Sequence, residues 1–561
     1  MNKNDFVEYL NTLHNYNAQN KNAYGEKNIE SPFFYDVMVE VGLCDYICES
    51  FSSENPHAII LTGHAGDGKT SIMYQVLNNL DMEFSSSGKV FDIFFPDGDK
   101  CRCIKDFSEI ADDKKVEVLK DALEMPDYGN YSFIVANTGP LINTFGDLFP
   151  EKDKENAKIR LIDAMDRNTG EILEIYGYKI CIINVASIDN TYFASEFIKK
   201  ITQDKLWKSC EQCANRDACH IKRNRDLIVY NSKRVYEFIT MHYIWLMEHG
   251  KRLTIRSMAE QLAYMITGGY DCSSVKADKS YKYLFSNLFF GYVGTVRDDS
   301  ALKILAVNEA NKCVYDSKRL RSDESLLVNG EFSKLFGKEV AHIISMAELE
   351  NAYVNGWTEF LRRTYLMLNI VTDEKTVEYD WEDSFSKQFK RYCDLRDGKT
   401  TPSRQDANLI CDALSMIYIG TTNNDQQIPL TLSRESGIAQ NVQLITGSIS
   451  TRNIRLVQVE TKDSTFSKGK KRNILKIEVN KKLLDSEITL PLLDYFEELK
   501  NGVISTNVDP QLSHGVESLK AQLSNELDDI DDDSFEMIIL RNNGNVPVRL
   551  EITESKHIRE I

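Results

Sequence analysis

The sequence contains no apolar run that approaches the roughly 18–20 residues a membrane-spanning helix needs. Its first residues, MNKNDFVEYLNTLHNYN, are polar and lack the apolar segment of a secretory signal. Both absences predict a cytoplasmic protein with no membrane partner. In that compartment its twelve cysteines are expected to be thiols or metal ligands rather than disulfides.

Basic residues are also in deficit, because 67 Lys and Arg stand against 85 Asp and Glu, a formal net charge of −18. Phosphate contacts come from Lys and Arg, so this balance argues against an extended nucleic-acid-binding surface. It leaves room for a local basic groove, and Lys468–Arg472 (KGKKR) is the strongest basic segment. No aromatic residues are interleaved with that segment, which favours a solvated loop.

Several familiar arrangements are missing as well. The sequence shows no internal repeat, no Ser/His/Asp arrangement, no zinc-protease helix and no carboxylate cluster of the nuclease type. The composition, with 42% hydrophobic and 27% charged residues, is that of a globular protein. A chain of 561 residues has room for about three or four domains.

One motif is present in full, Gly63-His-Ala-Gly-Asp-Gly-Lys-Thr70, which matches the Walker A pattern GxxxxGK[ST]. It lies between His57–Thr62, typical of a buried strand, and Ser71–Leu77, which has helical character. A chance match in a Gly-rich loop is the alternative, and this strand–loop–helix context counts against it. Lys69 would reach the β- and γ-phosphates and Thr70 would bind Mg²⁺. The predicted ATP-binding residues are Gly63, His64, Ala65, Gly66, Asp67, Gly68, Lys69, Thr70 and Ser71.

Apolar strand candidates alternate with helical patterns from about residue 51 to residue 200. The strands are Val90–Phe95, Phe133–Ala136 and Ile180–Val185, with helices such as Asp113–Leu123 and Ala157–Asp166 between them. This alternation predicts a three-layer α/β domain with a parallel sheet.

The pattern changes twice further along the chain. Tyr236–Glu248 and Ile255–Ile266 have helical spacing, and Thr254 is a candidate cap for the second helix. After about residue 440 strand patterns dominate. We therefore predict four regions: a helical lead-in (1–50), a P-loop NTPase core (51–204), a helical lid and middle region (205–400) and a C-terminal α+β module (401–561).

Hydrolysis needs an acid that positions Mg²⁺. Asp106, which precedes a predicted helix, is preferred, and Asp97, directly after the strand Val90–Phe95, is the alternative; either could be an ordinary loop acid. Asn137 ends the strand Phe133–Ala136 and is predicted to orient the attacking water, although an Asn before Gly-Pro is also common in turns. The predicted catalytic residues are Lys69, Asp106 and Asn137, with Mg²⁺ held by Thr70 and Asp106.

An arginine near the γ-phosphate is often required, and Arg256, at the start of a predicted helix, is the first candidate. A surface arginine is the alternative interpretation of this residue.

Three cysteines and a histidine fall within eleven residues: Cys210, Cys213, Cys219 and His220. The Cys-x-x-Cys pair has zinc-ligand spacing, and Cys272 is an alternative fourth ligand. Four ligands would make the Zn²⁺ site structural. Reduced thiols without a metal are the other interpretation. Redox activity is less favoured because no thioredoxin-like βαβ pattern surrounds the pair.

Several segments together resemble a family of bacterial AAA+/STAND-like P-loop ATPases from DNA restriction and anti-phage defence systems, nearest to the ATPase of phosphorothioation-dependent restriction (the DptF type). The resemblance covers about residues 51–290. It rests on Leu61–Thr70, Lys105–Ser108, Ile134–Leu141, Cys210–Cys219 with Asn224, Leu253–Arg256 and Ile266–Gly269.

This resemblance implies an ATPase that works with partner proteins encoded beside it and acts on, or senses, invading DNA. The alternative is a nucleotide-gated switch or scaffold that assembles a homo-oligomer with little turnover. A kinase is a third hypothesis, although no acceptor-site signature is visible.

Overall fold

Short apolar segments of the first half of the chain form a six-stranded sheet in the computed structural model. The strands are β1 Ala58–Thr62, β2 Val90–Phe94, β3 Lys100–Ile104, β4 Tyr131–Val135, β5 Ile172–Ile175 and β6 Tyr178–Asn184. Their spatial order is β2-β3-β4-β1-β6-β5. β3, β4, β1 and β6 run parallel, whereas β2 and β5 pair antiparallel with their neighbours at the two edges.

The structure describes residues 3–14, 31–52, 55–82, 88–95, 98–275, 281–313, 315, 356–368, 371–372, 375–376, 384–421, 426–431, 442–461, 472–503, 508–526, 534–539, 546–553 and 557–560. Two residue predictions fall outside these ranges: Asp97, and residues 468–471 of the basic segment. The described residues divide into two compact units, one up to residue 384 and one from residue 385 onward.

The sheet is mixed, so the prediction of a parallel sheet holds for the four inner strands and is wrong for the two edges. The reason lies in the connections. Residues 95–99 join β2 to β3, and Tyr176-Gly177 join β5 to β6. Parallel neighbours need a crossover of about a dozen residues or more, so links this short impose antiparallel pairing. Tyr176 and Gly177 both have positive φ, 51° and 87°, as a tight hairpin turn requires.

Successive residues of the inner strands alternate between two apolar layers. Ile59 and Leu61 of β1 face one cluster, and Ala58 and Ile60 face the other. Helices cover both faces, as the predicted three layers require. In chain order the helices up to this point are α1 Asp5–Thr12, α2 Phe34–Val37, α3 Gly42–Phe51, α4 Lys69–Asn79, α5 Asp112–Glu124, α6 Thr138–Asp147 and α7 Glu151–Arg167. α3 and α4 cover the first face, and α5, α6 and α7 cover the second.

The rest of the first unit is mostly helical, as predicted. Its helices are α8 Tyr192–Ile201, α9 Asp204–Glu211, α10 His220–Tyr230, α11 Ser232–Glu248, α12 Ile255–Thr267, α13 Phe285–Leu288, α14 Leu305–Lys312 and α15 Trp357–Met367. Two short hairpins accompany them, β7 Tyr292–Val293 with β8 Val296–Arg297 and β9 Val371–Thr372 with β10 Lys375–Thr376. The predicted cap of α12 is confirmed, since the backbone N–H of Ser257 donates to the Thr254 hydroxyl at 3.2 Å.

The second unit has the predicted α+β composition. Its helices are α16 Phe389–Arg396, α17 Arg404–Ile419, α18 Leu490–Lys500 and α19 Pro510–Asn525. Its strands are β11 Gln427–Thr431, β12 Val442–Ser450, β13 Ile454–Glu460, β14 Asn473–Val479, β15 Lys482–Glu487, β16 Ser534–Ile539, β17 Val546–Ile552 and β18 Ile558–Glu560. They form two antiparallel sheets, β11-β12-β16-β17-β18 and β13-β14-β15. They include the antiparallel pairs β13–β14 and β16–β17, in the region after about residue 440 where strand patterns were predicted to dominate.

The structure places the boundary between the units at residue 385, earlier than the predicted residue 401. Residues 385–400 belong to the second unit because α16 packs on β14 and α18. The Gln458 side chain also donates to the Leu395 carbonyl at 2.6 Å. Over the described ranges, no helix is long and apolar enough to cross a bilayer.

Candidate functional site

The glycine-rich segment forms a tight loop between the end of β1 and the start of α4. Gly66 and Gly68 have φ of 91° and 79°, where residues with a Cβ are strained. A Cβ at Gly66 would also lie 3.0 Å from the Thr254 hydroxyl and 3.2 Å from the Arg256 Cβ. The loop therefore needs glycine here for both its backbone conformation and its close contact with the start of α12.

The Lys69 side chain is buried under this loop. Its ammonium donates to the carbonyls of Gly63 and His64 at 3.1 and 2.7 Å, and to Asn137 Oδ1 at 3.0 Å. Burial lowers the pKa of Lys69, against the opposing charges of Asp67 and Asp106. No ion pair to Lys69 occurs among the described residues. The arrangement is a buried cation held by neutral acceptors.

Asn137 connects Lys69 to Asp106. The Asn137 amide donates to Ser108 Oγ at 2.9 Å, and the Ser108 hydroxyl donates to Asp106 Oδ1. The backbone N–H of Ser108 donates to the same carboxylate oxygen at 2.9 Å. The chain Lys69–Asn137–Ser108–Asp106 therefore joins the carboxyl ends of β1, β4 and β3, which lie side by side in the sheet.

Asp106 and Asn137, the preferred acid and the predicted water-orienting residue, both reach this edge. Each follows the last residue of its strand by two positions. Both also line a cavity of about 330 Å³ above the loop. Ser108 links these two residues. This role was not predicted from the sequence, because Lys105–Ser108 was considered only as a segment of the family resemblance.

The lining of this cavity comprises a polar set of residues, called its polar end, and an apolar set, called its apolar end. The polar end includes most of the predicted ATP-binding residues: Ala65, Gly66, Gly68, Lys69, Thr70 and Ser71. Gly63, His64 and Asp67 do not line it. The Gly63 and His64 carbonyls hold Lys69, and the His64 backbone N–H donates to Asp67 Oδ2 at 2.9 Å. These three residues therefore stabilise the loop through contacts within it rather than by lining the cavity.

The apolar end is built from elements far apart in sequence. Tyr9 of α1, Leu13 directly after α1, and Phe193 and Phe197 of α8 contribute to it. The segment from α2 to α3 contributes Phe34, Val37, Met38, Val39 and Val41. The sequence predicted a helical lead-in over residues 1–50 but gave no sign that it would form a cavity wall.

Gln75 of α4 holds that segment in place. Its side-chain amide donates to the Val39 carbonyl at 2.9 Å, and its side-chain oxygen accepts the Val41 N–H at 3.3 Å. Gln75 is buried, so these bonds replace lost contacts with water. The helix that begins at the glycine-rich loop therefore also fixes the apolar wall.

Two arginines near the start of α12 contact the loop. Arg256 lines the cavity, and its backbone N–H donates to the Gly66 carbonyl at 3.1 Å. Arg252 was missed, although its guanidinium donates to Asp67 Oδ1 at 2.8 Å and to the Val185 carbonyl at 3.0 Å. Asp67 is almost fully buried, and a buried carboxylate requires a partner. The acidic residue inside the glycine-rich loop was therefore the one feature of the sequence that could have predicted a partner arginine.

Glu260 follows Arg256 by one turn of α12. Burial raises the pKa of Glu260 to about 7, and the nearby Arg256 charge only partly opposes this shift. The carboxyl group therefore titrates near neutral pH.

The predicted cysteine cluster forms a separate pocket of about 140 Å³. Four thiols line it, those of Cys210, Cys213, Cys219 and Cys272. None of the twelve cysteines of the chain, all of which lie in the described ranges, forms a disulfide bond. No preassembled group of three metal-binding His, Cys, Asp or Glu side chains occurs in the described part of the chain.

His220, the predicted fourth zinc ligand, is not among the residues that line this pocket. Its ring is buried, lies 3.1 Å through Nε2 from the Thr267 carbonyl and stacks on Tyr283 at a centroid distance of 4.8 Å. Cys219 is the N-cap residue before α10 and has an extended backbone, whereas His220 is the first residue of the helix, so the two side chains face different surroundings. Cys272, the alternative fourth ligand, lies with the other three cysteines.

Comparison of the chain with protein-family models, curated proteins and solved structures found no match. The site must therefore be interpreted from its own chemistry. That chemistry is a glycine-rich loop at a helix start, a buried lysine, an acid and an amide on neighbouring strands, and an adjoining apolar cavity.

Proposed function

We propose that the first unit binds ATP with Mg²⁺ and hydrolyses it at the carboxyl edge of β1, β3 and β4. The observation that carries this proposal is the hydrogen-bonded chain from Lys69 through Asn137 and Ser108 to Asp106. It aligns a cation, an amide and a carboxylate along one edge. Phosphoryl transfer relies on such positioning and on electrostatic stabilisation.

The loop and Lys69 fit a polyphosphate. The first N–H groups of a helix have no acceptor within it, and no described side chain caps the start of α4. Helix starts of this kind attract anions. A phosphate would also supply the negative partner that Lys69 lacks among its present acceptors.

Thr70 and Asp106 are suitable ligands for Mg²⁺, since both line the cavity and both have side-chain oxygen atoms that can coordinate the ion. Bound there, the ion would neutralise charge on the phosphates. Ser108 fixes the orientation of Asp106 by two hydrogen bonds to Oδ1, so Oδ2 would be the oxygen that binds the ion. Asn137, which is hydrogen-bonded to both Lys69 and Ser108, would orient the attacking water.

The apolar end of the cavity fits the base. Small-molecule sites are mostly apolar with a few placed polar groups, and this cavity of about 330 Å³ falls in the usual range of about 300–1,000 Å³. The walls from α1, α2 and α8 would cover the purine ring, while the loop holds the phosphates.

Coupling to other proteins is the expected use of the ATP. Arg252 and Arg256 join the loop to α12, so nucleotide occupancy would bias the position of that helix. We propose that the protein is the ATPase of a bacterial restriction or anti-phage defence system and acts with partner proteins encoded beside it. The support for this context is the sequence likeness of the segments between residues 51 and 290.

The same contacts favour a second candidate function, a nucleotide-gated switch that assembles an oligomer with little turnover. A switch needs a link from nucleotide to a movable element more than it needs fast chemistry. The Asp67–Arg252 pair is such a link.

One experiment separates the two functions. ATP turnover of the full chain is measured with Mg²⁺, with and without duplex DNA, and size-exclusion chromatography is run with and without ATP. Turnover stimulated by DNA supports the defence ATPase. A change of oligomeric state on ATP binding without turnover supports the switch. Absence both of turnover and of any ATP-dependent change of oligomeric state would overturn both.

A further inference from the structure

The four-thiol pocket, defined by Cys210, Cys213, Cys219 and Cys272, joins three separate parts of the first unit. Two cysteines lie at the end of α9, one precedes α10, and one follows α12. The pocket lies apart from the nucleotide cavity, and the two share no lining residue. We propose that this pocket binds one structural zinc ion through all four thiolates.

The turn after α9 suits two of the ligands. The Cys213 N–H donates to the Cys210 carbonyl at 3.2 Å, which closes the Cys-x-x-Cys segment into a turn. Both sulfurs then border the same pocket. This spacing is typical of structural zinc sites.

N–H donors lie close to three of the four sulfurs. The Asn4 side-chain amide donates to Cys210 Sγ at 3.2 Å, and the Asn4 backbone N–H favours the thiolate of Cys272. Burial raises the pKa of Cys219, while the backbone N–H groups of Lys222 and Ile221 in the first turn of α10 act in the opposite direction. Hydrogen bonds to the atoms that bind a metal commonly orient them and tune their affinity for the ion.

The charge of the lining also fits. Four thiolates around Zn²⁺ carry a net charge of −2, and the pocket is lined by Lys3, Arg216 and Lys222 with no acidic side chain among its lining residues. Each of these cations also pairs with a carboxylate of its own segment, so they moderate the negative charge rather than cancel it.

Thiolate ligands in this number select zinc over hard cations, which prefer oxygen. A tetrahedral ion with four protein ligands has no open position, so its role is structural. The sulfurs are not preassembled in coordinating geometry. Zinc binding therefore draws the three segments together, releases the thiol protons and stabilises the fold.

The test is the metal content of the purified full chain, measured by inductively coupled plasma mass spectrometry. We expect one zinc per chain in the wild type, and a loss of nearly all of it in Cys213→Ser and Cys272→Ser. Cys313→Ser is the matched control, since Cys313 lies outside the pocket and bonds to the Glu309 carbonyl. It should keep its zinc, and so should His220→Gln.

A second measurement uses only the wild-type chain, so it remains valid if the variants fail to fold. The wild-type chain is stripped of metal and titrated with Co²⁺, whose absorption bands report a tetrahedral thiolate site. Saturation at one equivalent, with four thiols protected from alkylation, is the expected result. The proposal is overturned by absence of metal and of Co²⁺ bands, by disulfides among the four cysteines, or by zinc loss in His220→Gln with retention in Cys272→Ser.

Discussion

The Arg252 guanidinium lies 2.8 Å from the Asp67 carboxylate, although the two residues are 185 positions apart. Asp67 sits inside the loop proposed to hold phosphates, where an unpaired negative charge would repel them. Its other oxygen accepts the His64 N–H. Arg252 therefore neutralises the one acid of the loop and joins the loop to the segment that leads into α12.

Arg252→Ala should destabilise the first unit. It leaves Asp67 buried without its charged partner, a change that costs about 3 kcal/mol. Calorimetry of the full chain should show a lower transition temperature, and ATP affinity should fall as well. Asp67→Asn combined with Arg252→Ala should recover much of the stability, because no charge is then left buried. Equal stability of Arg252→Ala and wild type would contradict the role assigned to this pair.

Asn137→Ala should lower kcat for ATP hydrolysis roughly 100-fold while KM changes little, as for loss of one preorganised polar contact to a transition state. Ser108→Ala keeps Asn137 and should cost less. The matched control is Asn130→Ala, since Asn130 precedes β4 and its side chain accepts the Lys100 N–H away from the cavity. Steady-state kinetics of the three variants make the comparison. Unchanged kcat in Asn137→Ala would remove Asn137 from the mechanism.

Gln75→Ala should raise KM for ATP about tenfold with kcat nearly unchanged. The variant loses the bonds to Val39 and Val41 that fix the apolar wall, and a loss of about 1.4 kcal/mol corresponds to a tenfold change in affinity. Asn78→Ala is the control, because Asn78 is exposed on the same helix. If both variants bind ATP like wild type, the base does not occupy the apolar end.

Glu260→Gln should alter the pH dependence of stability. Burial raises the folded-state pKa of Glu260 to about 7 from the ordinary 4.5. Its contribution to stability is therefore full below the ordinary pKa and is lost as pH rises through about 7. The variant should gain stability relative to wild type between pH 5 and pH 8. Melting curves at both pH values measure this gain, and a constant difference across the range would contradict it.

The parts of the site that are formed by residues close together in the sequence could be predicted. The loop, Lys69 and the Thr254 cap depend on a few adjacent residues. Asn137 follows from its position at the end of a predicted strand, and Asp106 from its position before a predicted helix. The parallel pairing of the inner strands was predictable from the alternation of strand and helix patterns along the chain.

Long-range pairing was not predictable. Nothing near Arg252 in the sequence indicates that it contacts Asp67, and nothing near Gln75 indicates that it fixes residues 39–41. Cys272 joins the other three thiols only because α12 brings it back to the start of α10. The edge strands β2 and β5 turned out antiparallel because their links are too short for a crossover, a constraint visible only once the strand ends are known.

ATP binding and turnover of wild type, Lys69→Ala and Asp106→Asn, measured on the same preparations, test the central claim most directly. The account predicts Mg²⁺-dependent turnover in the wild type, lost binding in Lys69→Ala, and retained binding with turnover at least about 100-fold lower in Asp106→Asn. Wild-type turnover that persists unchanged in both variants would contradict the site assigned here.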